Sequence, residues 1–527
     1  MSSTFKKRMI LVLSCIIFLF GTILFFQIKE MKADLQSNTI LLDEEGMPLL
    51  PDLAVSSMKD VPQQLKDYLS SSEATSLEKV LYPQVNAKRI IFPYTLKATL
   101  KQDEKDLLYI NNSYFGFGVI GYRNASHYYF EKELSQLSPE EMLYLIYKEK
   151  RSNDWKGFLH SLVKASLLTN EERKEFEDKL PSVIERTYTS HSVHQSFIQQ
   201  VIKEAKNLGY EEKAFFLAGY IANTTLNKGL QENIVSAFRN EDNFPEESRA
   251  VVEAGMTILD HHSGAIKGMS GGRYYQDNPD FNRATDTTRQ PASAFKPLIV
   301  YAPAIEKGWE ITDNLFNKPI KIGDFKPYNY NRDYSEKITL KEAHTKSYNV
   351  PATWLLHKIG LETGLRYINK MGVFPDNRSD GIALAVGFTS VGTSPLAMAQ
   401  AYTIFANEGK MVTPFTVSRI LDHQGKELYK NKEPEKEIIT PETASTMNVL
   451  LEDVIENGTG KTAYLPDRKI AGKTGTTSFD GWFIGYDEHL LGAVWIGPDQ
   501  VKPENRMEPG IYPAKIFTEI FKKLPSN

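Results

Sequence analysis

The chain has 527 residues, enough for two or three domains with cores of their own. With 41% hydrophobic and 24% charged residues and a formal net charge of -4, it has an ordinary globular composition and no basic excess of the kind a nucleic-acid partner requires. Its single cysteine, Cys15, excludes an internal disulfide, and no C-x-x-C or H-E-x-x-H pattern points to a metal.

The N-terminus reads as a membrane anchor. Lys6, Lys7 and Arg8 precede an apolar run from Met9 to Phe26, long enough to span a bilayer as a helix. The basic cluster in front predicts a cytoplasmic N-terminus with the bulk of the chain outside. A cleaved signal peptide is the competing reading, but no small-x-small site follows the run. "VLSC" around Cys15 is faintly like a lipoprotein box, yet the apolar run continues past it.

Residues 29 to about 60 form a mixed, polar stem, and the chain is helix-rich from there to about 185. "SPEEMLYLIYKEK" predicts a helix start, with Ser138 as N-cap, Pro139 in the first turn and Glu141 closing a capping box. More helix follows to about 245, ending in the polar break "NEDNFPEES". After about 246 the texture changes. "VVEAGMTILDHHSGAIKGMSGG" predicts two strands joined by a turn at His261 to Gly264, so the paired histidines belong to a turn and not to a metal site. Helical stretches come next, and "GWFIGY" and "LLGAVWIG" predict a second hairpin near the end. Strands, then helices, then strands describe an α+β domain around one antiparallel sheet.

Three short motifs lie in that region. In "RQPASAFKPLIVYAPAIEKG", Phe295, Leu298, Ile299, Ala302 and Ile305 fall at helical spacing, and Gly308 ends the pattern. Ser293 then stands at a helix N-terminus, where its anion is favoured, with Lys296 one turn later as a base for its proton. S-x-x-K also occurs at Ser56, Ser76 and Ser161, without supporting context. In "TKSYNVPATWLLHKIG", Ser347 and Asn349 precede Pro351, which favours an extended backbone and side chains pointing the same way. In "AGKTGTTSFDGWFIGY", Lys473 and Gly475 alternate along a strand, and Gly475 admits a close backbone approach. Lys473, Thr474 and Thr476 offer a cation and hydroxyls to a carboxylate. "GMSGG" at Ser270 matches a nucleophile elbow, but no helix follows it.

The order S-x-x-K, S-x-N, K-T-G resembles the penicillin-binding proteins and serine β-lactamases. Residues from about 246 to 520 resemble the transpeptidase domain of class A penicillin-binding proteins, through "FNRATDTTRQPASAFKP", "SPLAMAQAYTIFANEGKMVTP" and "GTGKTA" before K-T-G-T-T. Ala292 stands where the family has glycine, and would be strained if that position requires a positive φ. The resemblance implies Ser293 as nucleophile and Lys296 as its base. It implies Ser347 and Lys473 for proton relay and Asn349 for the substrate amide. The terminal carboxylate falls to Lys473, Thr474, Thr476 and the adjoining Gly475 and Thr477, and the backbone N–H groups of Ser293 and Thr476 form the oxyanion hole. It also implies peptidoglycan stem peptides and β-lactams as ligands, no cofactor, contact with the cytoplasmic membrane, and other wall-synthesis proteins as partners.

The N-terminal half resembles the glycosyltransferase domain of the same family with parts missing. "YINNSYFGFGVIGYRNASHYYFEK" keeps the family's aromatic and glycine positions, but Arg123 stands where the family has glutamate. Upstream, Glu73 falls at the catalytic glutamate's place with Ala74 in place of the following aspartate, and the glutamine block is absent. The resulting division is a cytoplasmic tail (1–8), anchor (9–28), stem and degenerate glycosyltransferase-like domain (29–185), linker (186–245) and transpeptidase domain (246–527). Transpeptidase, carboxypeptidase and non-catalytic penicillin-binding scaffold remain open at this point.

Overall fold

The computed structural model describes residues 38–50, 53–71, 100–150, 154–187, 193–246, 251–273, 281–374, 378–432 and 434–525. The expected tail (1–8) and anchor (9–28), and Glu73, lie outside these residues. Among the described residues no helix is long and apolar enough to cross a membrane.

The helix-rich unit closes around a core of its own. Helices α1 (Gln102–Asn112), α2 (Tyr122–Phe130) and α3 (Pro139–Glu149) pool Tyr109, Tyr122, Tyr129, Tyr144 and Leu145 with Tyr68 and Leu159 from flanking helices. The capping box of α3 forms as predicted. Ser138 Oγ accepts from Glu141 N at 3.3 Å, and Glu141 Oε2 accepts from Ser138 N at 2.9 Å. Glu141 is only 1% exposed, so its charge needs a partner, and Lys132 Nζ donates to both its oxygens at 2.8 and 2.9 Å.

The rest of the chain surrounds one sheet. Strands β1 (Ile40–Leu42) and β2 (Ile221–Thr224) come first, then β3 (Val252–Asp260) and β4 (Ile266–Ser270), joined by the predicted turn. A short pair, β5 (Asn314–Phe316) and β6 (Lys337–Thr339), precedes β7 (Lys410–Val412), β8 (Val417–Leu421), β9 (Glu427–Lys430) and β10 (Glu435–Glu437). The last three are β11 (Ala471–Thr476), β12 (Gly481–Tyr486) and β13 (Leu490–Pro498). The main sheet has five strands in the order β11-β12-β13-β3-β4, all antiparallel. Its side chains alternate between two cores. Trp482, Ile484 and Trp495 face one; Phe483, Val494 and Ile496 face the other with Phe517 and Phe521 of the C-terminal helix Tyr512–Phe521. Both faces are covered, which is why these strands read as continuous apolar runs.

Two expectations are corrected. Residues 186–245 do not behave as a linker. Within them α4 (Gln195–Asn207) and α5 (Lys228–Arg239) supply Phe197, Ile198, Ile234 and Phe238 to the cores flanking the sheet. The stem is likewise engaged: β1 pairs in parallel with β2, inside a small sheet of order β1-β2-β8-β9. Alternating polar and apolar residues in short elements hid this, because the apolar partners lie far off in sequence.

Gln231 of α5 shows how firmly the segment is attached. Its side-chain amide lies beside the edge strand β4, donating to Met269 O and accepting from Met269 N, each at 2.8 Å. It serves the edge as one residue of an added strand would. Gln231→Leu leaves both peptide groups buried and unsatisfied and should cost about 2–3 kcal/mol in chemical denaturation.

Candidate active site

Ser293 sits in a short 3-10 turn, Ala292–Phe295, followed by a π-helical turn, Pro297–Tyr301, and only then by regular α-helix at Ala302–Glu306. The expected simple helix start is therefore tighter and then wider than α-helix. Neighbouring groups pin the turn: Tyr402 Oη donates to Ala294 O at 2.5 Å, and Trp482 Nε1 donates to Gln290 O at 2.8 Å. Ala292, just before the nucleophile, has φ 48°, the left-handed conformation that glycine would adopt without strain. Gly387 packs against it so closely that a Cβ there would meet the Ala292 carbonyl oxygen at 1.8 Å.

The S-x-N loop differs from the extended form expected. Ser347 has φ 55°, and Asn349 is the first residue of α7 (Asn349–Ile359), which follows α6 (Leu340–Thr345). Pro351 is in the first turn of α7, where its missing N–H costs nothing. The left-handed serine turns the chain so that residues 347–349 converge on Lys296. Its Nζ donates to Ser347 O at 2.7 Å, to Tyr348 O at 3.2 Å and to Asn349 Oδ1 at 2.8 Å.

The third motif closes the site from the sheet edge. Lys473 Nζ on β11 donates to Ser347 Oγ at 2.9 Å and to Thr474 O at 3.0 Å. Gly475 presses on the nucleophile turn: a Cβ added there would lie 2.4 Å from Pro291 O and 3.1 Å from the Ala294 nitrogen. No side chain fits at 475, which is the reason for glycine. Thr476 ends β11 and is exposed beside that turn. The two other threonines have local partners. Thr474 Oγ1 shares a 2.7 Å hydrogen bond with Thr459 Oγ1. Thr477 Oγ1 donates to Asp480 Oδ2 at 3.1 Å and accepts from Phe479 N and Asp480 N, which fixes the β11–β12 turn. The substrate-binding place expected for Thr477 is thus occupied by turn construction.

Both lysines have no exposed surface. Burial, and after it the charge of Lys473, pushes the Lys296 amine well below the ordinary lysine range. Burial alone brings Lys473 down to about 7. His344, buried at the end of α6 and packed edge-on against Tyr301 at 4.7 Å, is pushed well below the usual histidine range by burial and by both lysines. The site therefore disfavours the charged form of Lys296, while Lys473 titrates near neutrality.

The sequence did not single out Arg289 and Asp480. They form a largely buried pair at 3.1 Å that joins the segment leading into Ser293 to the turn after β11. Trp495 covers it, with the Arg289 guanidinium 4.8 Å from the ring and Nε1 donating to Asp480 Oδ1 at 3.0 Å. Their places within "TTRQP" and "SFDGW" were visible, but not their meeting across 191 residues of chain (Arg289 to Asp480). Ser270, at the elbow-like motif, is a β4 residue whose hydroxyl donates to Gly272 O at 3.2 Å. Among the described residues no group of three or more histidine, cysteine, aspartate or glutamate residues could hold a metal ion.

The penicillin-binding protein transpeptidase domain family matches residues 254–522, and the transglycosylase family matches residues 56–173. The chain belongs to the class A penicillin-binding proteins, with transpeptidase and transglycosylase domains. It is 31% identical over 495 residues to penicillin-binding protein 1F of Bacillus subtilis (strain 168), covering 87% of this chain and 66% of that one. It is 28% identical over 481 residues to penicillin-binding protein 4 of the same organism, covering 83% and 75%. The chain thus spans about two thirds to three quarters of the length of these relatives. The crystal structure of penicillin-binding protein 1A from Haemophilus influenzae has the same fold, with a TM-score of 0.59 at 19% identity over 93% of each chain. PonA1 from Mycobacterium tuberculosis has a TM-score of 0.55 at 20% identity, over 63% of this chain and 91% of that one.

Two outcomes follow. Ala292→Gly removes the left-handed strain and should raise stability by about 0.5–1 kcal/mol in thermal unfolding, net of the added freedom of the unfolded chain. Covalent labelling by penicillin should slow as pH rises through about 7, where buried Lys473 loses its proton. The sign follows from a folded-state value below that of a free lysine: the cation is complete only on the acid side. In Lys473→Arg the fall should move to higher pH.

Proposed function

We propose that the chain is a membrane-anchored serine D,D-transpeptidase that cross-links peptidoglycan stem peptides and is acylated by β-lactams on Ser293. The observation that supports this reading most is the convergence of two buried lysines on one serine–asparagine loop, where burial disfavours the charged form of Lys296. Ser293 Oγ attacks the carbonyl of the penultimate D-alanine as its proton passes to Lys296. The tetrahedral oxygen is held by the N–H groups of Ser293 and Thr476. The C–N bond then breaks, and the leaving D-alanine amine takes its proton by way of Ser347, which Lys473 orients. Asn349 holds the substrate amide, and Lys473 with Thr476 holds the terminal carboxylate. An acceptor amine resolves the acyl-enzyme as a cross-link, returning the proton by the same route.

The transglycosylase-like unit, on this proposal, no longer polymerises glycan. Arg123 stands at the family's glutamate position, and it is committed to Glu133 through bonds of 3.0 and 3.2 Å, with His127 3.2 Å from the same carboxylate. The Arg123 guanidinium holds the Glu133 carboxyl below its ordinary range. The unit keeps a core and docks to the body, Tyr114 Oη donating to Glu212 Oε1 at 2.6 Å and its ring stacking on Phe216.

One experiment tests both parts. The purified full-length protein receives lipid II together with preformed, uncross-linked glycan strands. Cross-links and fluorescent-penicillin labelling are expected, and both should vanish in Ser293→Ala and persist in Ser270→Ala. No new glycan polymer is expected. Labelling that survives Ser293→Ala sinks the nucleophile assignment; polymer that disappears in Glu73→Gln sinks the loss of glycosyltransfer.

A further inference from the structure

Helix α7, which carries Asn349, begins without a cap of its own. Its N-cap residue is Tyr348, whose side chain accepts nothing from the first turn. The first N–H groups of a helix nevertheless need acceptors. Those of Asn349 and Val350 both donate to Oδ1 of Asn329, at 3.1 Å each. The cap is thus supplied by a residue far upstream in the chain, with no exposed surface.

Asn329 is fixed from behind. Its Nδ2 donates to Asn317 Oδ1 and to Asp333 O, each at 2.7 Å. Two donors in front and two acceptors behind leave the amide only one orientation. Asn317 follows β5, and its own Nδ2 donates to Ser335 Oγ at 3.1 Å, just before β6. The cap is therefore anchored to the β5–β6 pair.

A second tie runs through the residue that the S-x-N pattern leaves unspecified. Tyr348 is 2% exposed, and its hydroxyl donates to Asp333 Oδ2 at 2.7 Å and accepts from Asn331 Nδ2 at 3.1 Å. Asn349 Nδ2 also donates to Tyr328 O at 2.9 Å. One turn thus grips three consecutive residues.

What needs holding is Ser347. A non-glycine residue at positive φ is unfavourable and persists only where its surroundings determine it. Upstream, Ser347 N donates to His344 O and Tyr348 N to Ala343 O, both at 3.0 Å. Downstream, the fixed points are Asn329 and Asp333.

We infer that the turn at 329–333 is a clamp that positions Ser347 and Asn349 for acylation, with Asn329 and the Tyr348–Asp333 pair as its positioning residues. The inference rests on Ser293 being the nucleophile. A small shift of the proton relay and the amide-binding group slows the chemical step while leaving the initial encounter with substrate almost intact.

The test compares full-length wild type with Asn329→Ala, Tyr348→Phe, Asp333→Ala and Asp333→Asn. Fluorescent-penicillin labelling is followed over time and concentration, separating the dissociation constant of the first complex from the acylation rate constant. The acylation rate constant should fall about 10-fold or more in Asn329→Ala and about 3- to 10-fold in Tyr348→Phe and Asp333→Ala. The dissociation constant should stay within about two-fold, and labelling should still reach one per chain. Asp333→Asn keeps an acceptor for Tyr348 and should recover most of the loss. Wild-type rate constants in Tyr348→Phe and Asp333→Ala, or losses confined to the fraction that labels, overturn the clamp. Tyr348→Phe removes one oxygen atom, so it decides the matter if Asn329→Ala does not fold. A wild type that fails to label, or a Ser293→Ala variant that labels, overturns the nucleophile assignment instead.

Discussion

The site depends on one buried amine. Lys296 has no exposed surface and finds its acceptors in Ser347 O, Tyr348 O and Asn349 Oδ1. The same three bonds hold a loop whose serine occupies an unfavourable backbone conformation. Each side supports the other: the loop gives the amine a place to be buried, and the amine gives the loop a reason to bend. Burial then sets the chemistry, because a charged ammonium without water is costlier than a neutral amine.

The sheet supplies the rigidity this exchange requires. β11 reaches the nucleophile turn only because Gly475 has no side chain, and Trp482 on β12 ties that turn to the sheet by its indole N–H. The buried Arg289–Asp480 pair adds a brace across the same corner. Apolar cores on both faces keep the strands from shifting, so distances at the site follow from packing and not from the loops alone.

The N-terminal unit shows the opposite separation. Its aromatic and glycine framework still specifies a packed core, while the position equivalent to a family glutamate is an arginine closed into a surface cluster. Packing and catalysis draw on different residues, so a framework of this kind is specified separately from the groups that react on it. The unit contacts the transpeptidase unit through Tyr114, Glu212 and Phe216.

Local patterns were legible in the sequence. The capping box at Ser138, the turn at His261 to Gly264, the hairpin of β12 and β13 and the order of the three motifs all rest on neighbours a few residues apart. Contacts between distant segments were not. Nothing near Ser347 announces a positive φ, since the cause is a lysine one motif away and a cap supplied by Asn329. Thr477 looked available for substrate until the β11–β12 turn took its hydroxyl, and residues 186–245 looked like a linker until α5 and β2 joined the sheets. By itself the sequence determined which groups are present and in what local frame. The tertiary structure decided their conformation and charge, because burial and hydrogen-bond partners are properties of what folds against a residue and not of what precedes it.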